Sequence, residues 1–150
     1  MRPSDYKKRL LALADFLDRL PAKRFQYNYW FHNDITNPDT NPYPDGGPIN
    51  ALKHFCGTTA CALGWATTMP RFRRLGLHWQ HLTPRIPDND NVFGSAAVIF
   101  GISSHEAMYL FSPNYPAYAA YGLERKGLPE SSPGAEASAK EVARHLRTFA

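Results

Sequence analysis

Cysteine is scarce in this chain. Two thiols, Cys56 and Cys61, in 150 residues cannot staple a domain, so a disulfide scaffold is excluded and both are expected to be reduced. No apolar run approaches the roughly 20 residues that a membrane-spanning helix needs. The opening residues, Met1-Arg2-Pro3-Ser4-Asp5, lead into a charged amphipathic stretch without the apolar core of a signal peptide. A cytoplasmic protein with no membrane contact is therefore expected. A long basic run is also missing. The cations fall in short groups, Lys7-Lys8-Arg9, Lys23-Arg24, Arg71-Phe72-Arg73-Arg74 and Arg125-Lys126. A net charge of +4 favours anionic partners in general, while dedicated nucleic-acid binding is not indicated. There is no internal repeat and no linker separating two cores, so residues 1–150 are expected to form one domain, with its oligomeric state, homo-oligomer included, left open.

What is present suits a packed core with long connections. The apolar fraction of 43% and charged fraction of 20% are those of a globular domain, and the chain carries three Trp, eight Tyr and nine Phe. Thirteen Pro and ten Gly imply irregular segments, most clearly at residues 33–48 and 112–134.

Residues 5–20 read as an amphipathic helix. Leu10, Leu13, Ala14, Leu17 and Leu20 share one face, Ser4 suits the N-cap, and Pro21 stops the run. Phe25, Tyr27, Tyr29 and Phe31 then alternate with polar or mixed residues, which argues for a short strand. Thr58 or Thr59 could cap a helix passing through Cys61, Leu63 and Trp65 to Thr68. Phe72, Leu75, Leu77 and Trp79 carry another short apolar segment, and residues 83–91 are polar and proline-containing. Residues 95–101 suit a buried small-residue helix, and Ser103 with Glu106 forms a capping-box pattern for a helix to Phe111. A last helix follows Ser132 and Pro133, with Ala139, Val142, Ala143, Leu146 and Phe149 on its core face and Glu136 paired with Lys140 outside. The expected fold is α+β and mainly helical, a single compact domain with a short strand element and long irregular loops.

Chemistry concentrates at Cys56-Gly57-Thr58-Thr59-Ala60-Cys61. A helix starting there would present unpaired backbone N–H groups and a positive dipole end, either to an anion or to a cysteine whose pKa they lower. The plainer alternative is core and cap chemistry, because cysteine is among the most buried residue types. A cysteine-dependent hydrolase or transferase would use Cys56 or Cys61 with a histidine such as His54. Cys56 and Cys61 with His78 and His81 have a tolerable zinc spacing at the cysteine pair. The 16-residue interval to His78 and the two-residue gap between the histidines miss the finger pattern, so neither a metal nor any other cofactor is expected. A ligand pocket is the remaining reading. Trp30, Trp65, Trp79, Tyr115, Tyr118 and Tyr121 offer faces for a stacked base, and Arg71, Arg73 and Arg74 offer forks for phosphate. The expected ligand-binding set is Cys56, Gly57, Thr58, Thr59, Trp65, Arg71 and Arg74.

Several segments resemble those of a family of small uncharacterised proteins from phages, prophages and bacteria. They are Leu20-Pro21-Ala22-Lys23-Arg24-Phe25, then Cys56-Gly57-Thr58-Thr59-Ala60-Cys61-Ala62-Leu63-Gly64-Trp65-Ala66, then Pro70-Arg71-Phe72 with Gly76-Leu77. Phe100-Gly101-Ile102-Ser103 leading to Leu110-Phe111, and Val142-Ala143-Arg144-His145-Leu146-Arg147, complete the likeness. The resemblance carries no catalytic residues. It implies a binding role in the host cytoplasm: sequestering a nucleotide-like signal of host immunity, or inhibiting a host protein.

Overall fold

The computed structural model describes residues 2–25, 32–33, 58–80, 83–89, 91–112 and 137–150. The first helix, α1 (Pro3–Arg19), begins two residues before the expected start. Pro3 brings a helical φ and lacks the N–H that would go unpaired there. The Asp5 carboxylate accepts from the Arg2 backbone N–H at 3.4 Å. Ser4 is consequently inside the first turn and not its cap. Leu10, Leu13, Ala14 and Leu17 are buried as the periodicity requires, and the chain leaves the helix at Leu20 ahead of Pro21.

A 3₁₀ turn over Ala22–Arg24 leads to Phe25, which bridges to Ala60. Two-residue strands β1 (His32–Asn33) and β2 (Thr58–Thr59) pair antiparallel, His32 opposite Thr59 and Asn33 opposite Thr58. The strand element expected near residues 25–31 is thus represented by the Phe25 bridge and by β1; residues 26–31 lie outside the described residues. Thr58 and Thr59 are strand residues, which corrects their expected role as helix caps. Helix α2 (Ala62–Ala66) starts later, with Cys61 as its N-cap, and is only five residues long. It stops before Thr68 because the chain turns at residues 67–69, where Thr67 and Thr68 donate their hydroxyls back to Gly64 O and Trp65 O, at 2.6 and 2.7 Å. Pro70 then opens the next helix, α3 (Pro70–Arg73).

The proline-containing stretch after residue 82 includes a strand. β3 (His78–Gln80) and β4 (Thr83–Arg85) form an antiparallel pair with Trp79 opposite Pro84. Proline is tolerated in such a two-stranded ribbon because an edge strand can leave one ladder donor unused. α4 (Val92–Phe100) is capped by Asn91, whose Oδ1 accepts from Phe93 and Gly94 N–H. It closes at Gly101 in the left-handed region, φ +64°. α5 (Ser104–Phe111) has the expected capping box: Glu106 N–H donates to Ser103 Oγ and Ser103 N–H to Glu106 Oε1. α6 (Ala139–Phe149) begins at a Ser138 cap. Ser132, Pro133 and Glu136 lie outside the described residues.

The domain is mainly helical α+β. α1 lies along α6 and touches α4, and α4 packs on α5. Leu13, Ala14 and Leu17 meet a core that holds Val142, Ala143 and Leu146, all fully buried. Phe72, Phe100 and Phe111 extend it as successive ring contacts of 5.6 and 5.4 Å. Phe72 anchors α3 there. Arg71, Arg73 and Arg74 are left at the surface, Arg71 and Arg74 beside α1.

Candidate functional site: an arginine-rimmed groove

Of the residues expected to act together, Cys61, Trp65, Arg71 and Arg74 have described side chains, and they differ in exposure. Cys61 is 2% exposed, and burial pushes its thiol up to about 12, an effect that the nearby backbone N–H groups of Gly64 and Leu63 oppose without offsetting. A protonated, enclosed sulfur is the opposite of an activated nucleophile. Ala60, Ala62 and Leu63 are equally buried, so the start of α2 is packed into the core. Trp65 is 5% exposed. Its indole N–H donates to Arg24 O at 2.9 Å, and its ring lies against Phe16 at 5.9 Å and the Arg24 guanidinium at 5.1 Å. Trp79 donates to Thr67 Oγ1 at 3.0 Å and belongs to the same packed region. His54, Cys56, Gly57, Trp30, His81, Tyr115, Tyr118 and Tyr121 lie outside the described residues. Among the described residues no group of three or more His, Cys, Asp or Glu could hold a metal ion. No helix among them is long and apolar enough to cross a membrane.

Arg71 and Arg74 are in a different position. Three residues apart, they fall on one side of α3 and its C-cap, and that side faces α1. Along α1 the spacing of Lys8, Ala12, Asp15 or Phe16, and Arg19 follows the helical repeat, so they form one wall. Between the walls run two adjoining shallow grooves. One, about 350 Å³, is lined by Asp5, Lys8, Arg9, Arg71, Arg74 and Leu75. The other, about 520 Å³, has Ala12, Phe16, Met69 and Pro70 as its apolar lining, with Asp15, Arg19 and Thr68 beside them and Arg71 and Arg74 again on the rim.

The grooves hold five cationic side chains against two carboxylates, and the carboxylates are engaged elsewhere. Asp15 Oδ1 accepts from Arg147 Nη2 at 2.8 Å, and Asp5 accepts from the Arg2 backbone N–H. Arg71 Nη1 donates to Lys8 O at 3.3 Å, which ties α3 to α1 and leaves the other guanidinium N–H groups to a ligand. Arg9 donates to Ile99 O at 2.6 Å and sits over the Tyr6 ring. Among the described residues, Arg19 and Arg74 make no ion pair. Lys8, Arg9 and Arg19 were not singled out from sequence as ligand-binding, although their place on the polar face of the first helix was legible. What brings α3 against that face is the burial of Phe72, far from α1 in sequence.

Compared with known proteins, the chain matches no family model, no curated protein and no solved structure.

Proposed function

We propose that the protein binds a small anionic, nucleotide-like ligand in the α1–α3 groove and works by holding it. The observation that carries this reading is the pairing of Arg71 and Arg74 on a rim shared by both grooves, opposite Lys8, Arg9 and Arg19. Guanidinium forks match the geometry of phosphate oxygens, and a cleft lined by one sign of charge concentrates ions of the other. Cys61, buried in the core, is not part of the groove lining. Sequestration of a nucleotide signal is a use that suits such a groove, in keeping with the resemblance to phage proteins.

Calorimetric titration of nucleotide signals and inorganic pyrophosphate into the protein tests the reading. At least one should bind, more weakly as salt rises. The double variant Arg71→Ala/Arg74→Ala should lose about a hundredfold in affinity, as expected for two charge-assisted contacts. Absence of binding across the panel, or unchanged binding by the double variant, refutes it.

A further inference from the structure

We infer that the groove is a two-part site for a nucleoside phosphate, with the phosphoryl group between Lys8 and the two arginines and the ring system against Phe16 and Met69. The inference rests on the anion-binding reading above and adds a division of labour within the site. The smaller groove is polar and cationic. Lys8 and Arg9 face Arg71 and Arg74 across it, and Leu75 is its single apolar side chain. Inorganic phosphate or pyrophosphate would find all its partners there. The larger groove has a different lining. Phe16 and Met69 are partly buried and packed on the core, so they present a fixed apolar surface. A flat, weakly polar ring gains from such a surface, and the methionine sulfur adds a polarizable contact.

Both volumes, about 350 and 520 Å³, fall in the range of roughly 300–1,000 Å³ usual for small-molecule sites. Arg71 and Arg74 line both parts, so one ligand can span them while keeping its charge on the shared rim. The larger groove also holds acceptors that a phosphate alone would not need. Thr68 donates its hydroxyl to Trp65 O at 2.7 Å and keeps its lone pairs; Asp15 uses Oδ1 for Arg147, leaving Oδ2. A sugar hydroxyl or a ring amino group would donate to either. Inorganic anions carry neither a sugar hydroxyl nor a ring amino group, so these acceptors favour the nucleoside end.

The test compares three probes on the same intact protein by calorimetry: inorganic pyrophosphate, ADP and adenosine. ADP should bind about tenfold or more tighter than pyrophosphate, because burial of the ring adds to the charge contacts. Met69→Ala should weaken ADP more than pyrophosphate and so narrow the gap between them, whereas Lys8→Ala should weaken both anions. A melting curve for each variant confirms that it is folded, and the wild-type comparison decides the matter without any variant. Equal affinity for ADP and pyrophosphate, both lost in Arg74→Ala, overturns the two-part site and leaves the anion-binding reading standing. Adenosine binding as tightly as ADP overturns the phosphoryl assignment. Failure of all three probes to bind overturns the two-part site, while the anion-binding reading falls only if the wider panel of nucleotide signals fails as well.

Discussion

Cys61 should be one of the least reactive thiols a folded protein can carry. Its pKa of about 12 stands three units above the ordinary 9.0, so at neutral pH its thiolate fraction is about a thousandfold smaller than that of a free cysteine. Enclosure adds to this, since only 2% of the residue reaches solvent. Iodoacetamide labelling at pH 7.5, followed by peptide mapping that separates Cys61 from Cys56, measures the effect. Native protein should label at Cys61 at least about a thousandfold more slowly than a free thiol, and denaturant should abolish the difference. A thiol with a raised folded pKa holds its proton in the native state after the unfolded chain has lost it. Stability from Cys61 is thus fully present below pH 9 and declines as pH rises toward 12, by on the order of 1 kcal/mol per pH unit. Cys61→Ser should remove most of that alkaline slope. Labelling of native Cys61 within tenfold of the free-thiol rate would refute the reasoning.

Other outcomes follow from the packing. Leu146→Ala empties a fully buried position at the interface of α6 with α1 and should cost about 2–5 kcal/mol in urea unfolding; a loss below 1 would contradict the described core. Gly101→Ala should destabilise by about 1–3 kcal/mol, because the position has φ +64° and a Cβ there would stand 2.5 Å from the Tyr6 ring. His145 titrates below its ordinary 6.5, since burial disfavours its charged form and the contact with Tyr109 O only partly compensates. Its contribution to stability should therefore be present above pH 6.5 and decline as pH falls below it, and His145→Gln should flatten that acid slope.

The elements that could be read in advance are those whose signals are local. The leucine stripe of α1, the Ser103–Glu106 box of α5 and the buried face of α6 each depend on residues within a few turns of one another. The misread elements are those in which one residue type serves two structures. Threonine favours both caps and strands, and pairing with β1 decides in favour of the strand at Thr58 and Thr59. β3 and β4 are too short for alternation to register, and Pro84 argues against a strand until its partner is seen. The candidate site was half legible. Arg71 and Arg74 stood out by chemistry alone, but the wall opposite them comes from α1. Trp65 and Cys61 look like site residues in sequence, whereas their burial gives them to the core. Sequence periodicity locates a face; it does not say which distant segment will lie upon it.

Where an anion sits on the protein tests the central claim most directly. Backbone amide shifts should be followed by heteronuclear NMR while inorganic pyrophosphate or ADP is added to labelled protein. The account predicts that the largest changes fall on the two walls of the groove, at Lys8, Arg9, Ala12 and Arg19 of α1 and at residues 68–75, with Ala60 to Gly64 nearly still. Changes centred on Ala60 to Gly64, with the groove unmoved, would contradict it and restore the helix start at Cys61 as the binding site.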